Sequence, residues 1–280
     1  SDSKDADTII KEEALWMGLS RELDGLGRIF YRRRRTGIKK KHGNIRDFCS
    51  RWGSRYIYML IMDADSLMSA KAVNDMVKIM QAREKVGILQ SVLVPLGNKS
   101  LYSYVQQFTA CLYGKMHIAG LSFMQMGDSV FWGHNALVRV APYARHCSIP
   151  RLGGRPPLGG EIFSHDFLEA AFMRRAGWEV WMVQETGGSF EEVPDDLWTD
   201  WQRDRRWLYG NFQHLRFLFS RKIVWSYRFL LLQGIFFYIS SFLWLVFLFL
   251  ISSKGVVDTL FRYDYFPRER QLFPDWPAGQ

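Results

Sequence analysis

The chain has 280 residues, 48% of them hydrophobic and 16% aromatic, with 37 Lys and Arg against 28 Asp and Glu for a formal charge of +9. That composition excludes an intrinsically disordered chain and fits one large α/β domain or two smaller ones. Three scattered cysteines, Cys49, Cys111 and Cys147, are too few for a disulfide framework or a thiolate metal site and fit a reducing compartment, while the basic balance favours anionic partners such as nucleotide, phospholipid headgroups or nucleic acid.

The first residues, SDSKDAD, lack Met and read as the polar loop leaving a strand, so the chain is taken as part of a longer protein with Asp2 at that strand's carboxyl end. Apolar residues at helical spacing, including Ile9, Leu15, Trp16, Leu19 and Leu23, predict a helix over 8–23, ended by Gly25 and Gly27. Residues 29–31 read as a short strand, followed by RRRR at 32–35 and KKK at 39–41. This basic run is either a solvated loop or nucleic-acid patch, or a phosphate contact. In the second case Lys41, two residues before Gly43, puts its charge where backbone can approach a pyrophosphate, ahead of a helix over 45–52.

Residues 56–66, YIYMLIMDADS, form an apolar run that ends in two carboxylates. The run predicts a strand buried on both faces, with Asp63 and Asp65 at its carboxyl end, where ligands of open α/β sheets bind. Acids at i and i+2 can share one divalent cation, and magnesium suits this because it takes one or two carboxylates together with substrate phosphates. Ordinary capping by Ser66 or Ser69 explains the same residues. A helix over 69–84 and a strand over 86–92 complete a βαβ unit, expected to be parallel.

Residues 101–123 are aromatic and weakly charged and read as a helix, either in the core or near a membrane surface. The run FWGHNALVRV at 131–140 brings His134 and Asn135 into an apolar strand, where they need partners inside the protein or from a ligand. Residues 150–160, with GG and PP pairs, read as a loop. Ser164 or Asp166 caps the next helix with Glu169 completing a capping box, or Asp166 is a general base. A strand over 178–183 and a loop at 191–194 follow. The amphipathic stretch carrying RDRRW at 203–207 mixes basic and large apolar residues, as interfacial helices do. Residues 229–251, FLLLQGIFFYISSFLWLVFLFLI, carry no charge, and their length spans a hydrocarbon core of about 30 Å.

Taken together, SDS, FYRRRR, GNIRDFCSRWGS, DADS, FWGHNA, SHDFLEAAFMRRAGWEVW, RDRRW and RQLFPDWP resemble the processive, cellulose-synthase-like membrane glycosyltransferases of family two. Within that family they are most similar to the inner-membrane enzymes of osmoregulated periplasmic glucan synthesis. The resemblance implies a GT-A-type, Rossmann-like and mostly parallel sheet with flanking helices, followed by an interfacial helix and a transmembrane helix. It implies a cytoplasmic glycosyltransferase domain at 1–200, the interfacial helix at 201–228, a span at 229–251 and an extramembrane loop at 252–280 leading to a further span of a multi-pass protein. It also implies an inverting enzyme that extends a β-linked glucan from UDP-glucose, needs Mg2+ or Mn2+, and is coupled to export.

Residue by residue, Asp2 and Lys41 would contact the nucleotide, and Asp63 and Asp65 the diphosphate and metal. Asp166 would be the base, with His165 where most relatives have an acid. Arg206 and Trp207 match the end of the Gln-x-x-Arg-Trp motif, with Arg203 at the Gln position. Trp207 and Trp132 offer aromatic faces to the growing glucan chain, with His134 and Asn135 beside Trp132. Beyond UDP-glucose, the acceptor and membrane lipids, the implied partners are an acyl carrier protein and a periplasmic glucan-processing protein, and nucleic acid is not among them. Two other readings use the same residues: a related transferase with another UDP-sugar, such as N-acetylglucosamine, and a membrane-anchored anion-binding protein without catalysis.

Overall fold

A computed structural model describes residues 1–34, 36–96, 100–155, 158–184, 186–220 and 223–261. Two compact units divide at Leu232/Gln233. In the first, helix α1 (Ala6–Glu22) is capped by Asp5, whose carboxylate accepts from the Thr8 N–H. Residues 29–31, expected as a strand, have no regular structure. Trp16 Nε1 donates to the Ile29 carbonyl and Tyr31 to Glu12, so side chains satisfy this segment in place of a sheet partner.

Helix α2 (Lys40–Arg51) precedes strand β1 (Tyr58–Ile61), and a turn through Asp63–Asp65 leads to short strand β2 (Ser66–Met68). Ser69 then caps helix α3 (Ala70–Ala82), its hydroxyl accepting from the Ala72 N–H. The capping explanation of the DADS run is therefore met by Ser69 alone. On α3, Ala72, Met76 and Met80 recur every fourth residue and are fully buried. Met76 and Met80 pack with Val86, Leu89 and Leu137 in one of two core clusters, and each large side chain contributes roughly 1.5–3 kcal/mol by leaving water.

The main sheet has the order β1-β5-β3-β6, with β3 (Val86–Ser91), β5 (Ala136–Arg139) and β6 (Glu179–Val183). Strand β5 is antiparallel to both β1 and β3, and β3 is parallel to β6, so three of the four strands share one direction. The α/β class and parallel strands match expectation, but β5 separates the two strands of the predicted βαβ unit. Edge strand β1 buries Met59 and Ile61 in the larger core, while Tyr58 and Leu60 pack on the other cluster and Tyr56 and Ile57 stay exposed. A second sheet, β2-β7-β4, uses β4 (Val94–Leu96) and β7 (Ser189–Glu192) and pairs Ser66 with Glu191.

Helices α4 (Leu101–Thr109) and α5 (Lys115–Gln125) join through a π-helical turn at Ala110–Gly114. Tyr104, Phe108, Leu112, Met116 and Phe123 are all more than half exposed while Leu121 packs on the larger core, so within this chain 101–123 is mostly a surface element. Helix α6 (Val140–His146) follows β5, and helix α7 (Asp166–Arg175) enters the larger core through Leu168, Ala171, Phe172 and Met173.

The expected interfacial helix at 201–228 is divided. Helix α8 (Leu197–Gln213) begins earlier, capped by Asp196, and is followed by the turn α9 (Leu215–Leu218) and by α10 (Trp225–Phe261). Helix α10, over Trp225–Leu260, is long and apolar enough to cross a membrane, its most apolar 18-residue stretch having a mean hydropathy of 2.4. It contains the predicted span and continues through 252–261, where a loop was expected. The rest of that loop, with RQLFPDWP, lies outside the described residues, as do Arg35, the Pro156 and Pro157 pair, Arg221 and Lys222.

The C-terminal end of α8 grips the segment before α7. Gln213 Nε2 donates to the Glu161 carbonyl at 3.1 Å, and His214 Nε2 donates to that of Ser164 at 2.7 Å. Burial pushes the His214 pKa from 6.5 down to about 4, the Ser164 carbonyl opposing only in part. The unfolded chain takes up this proton near its ordinary pKa and the folded one only near pH 4, so stability falls as pH drops through that window, by up to about 3 kcal/mol. Thermal melts of the detergent-solubilised protein should therefore fall more steeply between pH 7 and pH 5 than those of His214→Asn.

Candidate active site

Because β5 runs against β1, with Ile61 opposite Ala136, the turn that enters β5 lies beside the acids that leave β1. A buried glutamine next to the C-terminal end of β3 holds that turn. Gln90 Oε1 accepts from the Trp132 N–H at 2.9 Å, and Gln90 Nε2 donates to the His134 carbonyl at 2.9 Å. Here Gly133 has φ +87° and Asn135 φ +48°, the left-handed conformations that Gly and Asn adopt most readily. Gly133 also makes room for a neighbour: a Cβ at this position would lie 2.5 Å from Asp166 Oδ1.

A cleft of about 370 Å³ opens between these elements, in the range of small-ligand sites. It is lined on one side by Asp63, Asp65 and Lys41, and on another by Asp166, His165, Trp132 and His134. Helix α8 supplies Arg203, Arg206 and Trp207 at i, i+3 and i+4, hence from one face. Lys41 Nζ pairs with Asp63 Oδ1 at 2.5 Å. Arg203 bonds Asp200 at 2.8 Å and lies 4.8 Å from the Trp207 ring centre, while its buried Nε has no partner among the described residues.

Two predicted residues do not line this cleft. Asp2 is held by Arg34, whose Nε donates to Oδ1 at 2.6 Å, and that hydrogen bond is the main cause that keeps its carboxyl below the usual range. Asn135 is fully buried, and its Nδ2 donates to Ser189 Oγ and the Phe190 carbonyl, so its polar partners are internal. Gly43 leaves no open backbone beside Lys41, because the Ile38 carbonyl already occupies the space a Cβ would take.

Sequence reasoning missed Glu191, read only as loop. The β2–β7 register carries it to the cleft, where His134 Nε2 lies 3.5 Å from its Oε1. Burial raises its pKa, His134 and Arg203 oppose that, and the Asp65 and Asp63 charges raise it further. Asp63, Asp65 and Glu191 line one cleft as hard oxygen donors of the kind Mg2+ or Mn2+ takes. Among the described residues their oxygens do not form a group within 4.8 Å of one another, so a shared cation needs these side chains to draw together.

A second group was also missed. Glu169, read as half of a capping box, is fully buried and caps nothing. The N-cap of α7, His165, makes no side-chain capping bond. Glu169 Oε1 lies 2.7 Å from His42 Nδ1 and 2.9 Å from His165 Nδ1. Ligand atoms of these three residues fall within 4.8 Å of one another; His42 Nδ1 hydrogen-bonds Glu169, and His165 Nδ1 approaches it as a close ion-pair contact without an aligned hydrogen bond. The signal in the sequence was one acid set among Leu168, Ala170, Ala171 and Phe172.

Comparison with known proteins bears on the chain as a whole. Residues 58–256 match the model of "Glycosyl transferase family group 2". Proteins named "Glucans biosynthesis glucosyltransferase H" from Dickeya dadantii, Klebsiella pneumoniae and Pseudomonas fluorescens are 47%, 46% and 44% identical over 277 residues, which is 99% of this chain and 33%, 33% and 32% of theirs. The chain thus spans about a third of the length of the curated relatives it matches.

Proposed function

The chain belongs to glycosyl transferase family group 2, and on that premise we propose that its cleft is the catalytic centre of a membrane-bound, metal-dependent, inverting glucosyltransferase that extends a β-linked glucan from UDP-glucose. The observation that carries this reading is the meeting of Asp63, Asp65 and Glu191 with Asp166, Arg206 and Trp207 around one cleft. The names of the relatives support glucose as the transferred sugar.

In this reading Asp166 accepts the proton of the acceptor hydroxyl as that oxygen bonds to the anomeric carbon. The bond from that carbon to the diphosphate oxygen breaks, and its electron pair leaves with UDP. Arg206 and Lys41 offset the charge that grows on the diphosphate, and Lys41 exchanges Asp63 for phosphate when the donor binds. A divalent cation held by Asp63, Asp65 and Glu191 would supply further charge neutralisation there. Trp207 and Trp132 stack against the acceptor, and His134 orients Glu191. Asp2, paired with Arg34, serves the nucleotide from outside the cleft, and Arg203 holds Trp207. The exposed faces of α4 and α5 lie against lipid or against other parts of the protein. Helix α10 crosses the bacterial inner membrane as one of several spans, with the cleft in the cytoplasm. Export of the product, and the acyl carrier and periplasmic partners, belong to the same proposal.

The test is turnover of radiolabelled UDP-glucose by membranes that carry the full-length protein, with UDP-N-acetylglucosamine in parallel. EDTA should abolish glucan synthesis, and Mg2+ or Mn2+ should restore it. Incorporation that survives chelation would refute the metal assignment, and preferential use of the other donor would favour the related-transferase reading.

A further inference from the structure

The proposed reaction leaves unused the most deeply buried acid beside the cleft. Glu169 lies three residues after Asp166 on α7 and is fully buried. Isolated carboxylates are not left in such places without partners, because transfer of an unpaired charge from water is very costly. Its partners come from two elements that also build the cleft. His42, itself buried, reaches it from the first turn of α2, and His165 reaches it from the residue that precedes Asp166. The two imidazole rings lie 5.5 Å apart, centre to centre.

The geometry at His165 is specific. Its Nδ1 is 2.8 Å from Asp166 Oδ1 and 2.9 Å from Glu169 Oε1, so two carboxylates face one nitrogen that has one proton to offer. Among the described residues the second oxygen of Glu169, His42 Nε2 and His165 Nδ1 are buried without an aligned hydrogen bond, so the group is tied together by the His42–Glu169 bond and by the close approach of His165 Nδ1 to the two carboxylates. On the far side, Gly133 closes against the Asp166 carboxylate. Asp166 is thus held between a glycine turn and an imidazole, and that imidazole is backed by a buried acid. Adjacent residues of α2 serve the two halves of the site, Lys41 at Asp63 and His42 at Glu169.

We propose that His42, Glu169 and His165 form a buried chain that orients Asp166, which makes Glu169 a positioning residue for removal of the acceptor proton. The inference rests on the reading of Asp166 as the base. Electrostatics agree with the geometry. Burial opposes charge on both partners, yet the His165 charge and the bonds from His165 and His42 hold Glu169 at about 2. Glu169 and Asp166 in turn hold His165 well above its ordinary value against its own burial. The other titratable groups facing Glu169 are Cys49 of α2, Tyr143 of α6 and Cys147, whose pKa values all rise through burial first and the Glu169 charge second. None of the three ionises near neutral pH, and Lys40, Lys41, Glu161 and Arg206 face His165 only across the cleft.

Glu169→Gln keeps the volume and removes the charge. His165 then titrates closer to the ordinary histidine value of about 6.5, and its loss of charge reaches the working pH range. Membranes carrying the full-length protein are assayed with radiolabelled UDP-glucose from pH 6 to pH 8. The expected result is a variant-to-wild-type kcat ratio that falls about tenfold across that range with donor KM unchanged. A purely structural role would lower kcat by the same factor at every pH, and a ratio flat with pH overturns the proposal.

If Glu169→Gln loses UDP binding, and so its fold, the decision passes to His165→Gln at a less buried position. A kcat reduced tenfold or more at unchanged donor KM supports the chain, and a kcat within twofold of wild type overturns it. Asp166→Asn, run beside them, separates the two readings. Activity retained there removes the base and this inference with it. An inactive Asp166→Asn with a pH-flat Glu169→Gln removes the inference alone.

Discussion

Replacing Asp166 by Asn is expected to lower glucan synthesis by about 10²- to 10⁴-fold, the usual contribution of a positioned general base. Asparagine has the same shape, and its amide oxygen can take the place of the carboxylate oxygen that lies 2.8 Å from His165 Nδ1. It fits under Gly133 as the aspartate does, so neither the first turn of α7 nor the turn into β5 has reason to move. What it lacks is the capacity to take a proton at neutral pH. The residues proposed to bind the donor, Lys41, Asp63 and Asp65, come from α2 and the end of β1, so donor KM should stay near wild type while kcat collapses. The measurement is initial-rate incorporation of radiolabelled UDP-glucose by membranes, with UDP binding as the control for folding. Unchanged incorporation would refute the assignment.

Which parts of this molecule were legible in the sequence depended on the range of the interaction that sets them. The Asp63 and Asp65 turn, the Ser69 cap, the α3 stripe and the α10 span are local: a periodicity, a cap or an uncharged length places each one. Glu191 was not legible, because only the pairing of β2 with β7, more than a hundred residues apart in the chain, carries it to Asp65. Strand β5 misled for the same reason. Nothing in the βαβ pattern says that a later antiparallel strand inserts between β1 and β3. Asn135 was over-read, since an amide in an apolar run needs partners and here Ser189 and Phe190 supply them. Glu169 was under-read: the Asp-x-x-Glu spacing from Asp166 suggests a capping box locally, and only the approach of His42 across the fold gives the acid its role.

A second large effect is expected from the smallest residue near the base. In Gly133→Ala the added Cβ would stand 2.5 Å from Asp166 Oδ1, 2.6 Å from its Cγ and 2.9 Å from Oδ2, all inside contact distance. The carboxylate cannot retreat freely, because His165 and Glu169 stand behind it. Either Asp166 swings away or the turn into β5 shifts, and a misplacement on the order of 1 Å at a reacting group costs about 10²-fold in rate. An alanine at φ +87° also carries backbone strain of roughly 1–2 kcal/mol, which would lower stability whatever stood nearby. Gly177 separates the two effects. It has the same φ of +87° at the end of α7, with nothing within 4 Å of the position a Cβ would take. Both alanine variants should melt a few degrees below wild type. Gly177→Ala should keep its kcat, and Gly133→Ala should lose about 10²-fold of it with donor binding intact. Equal activity in the two variants would mean that the Asp166 carboxylate does not need this turn against it, and the orientation argued for the base would fall.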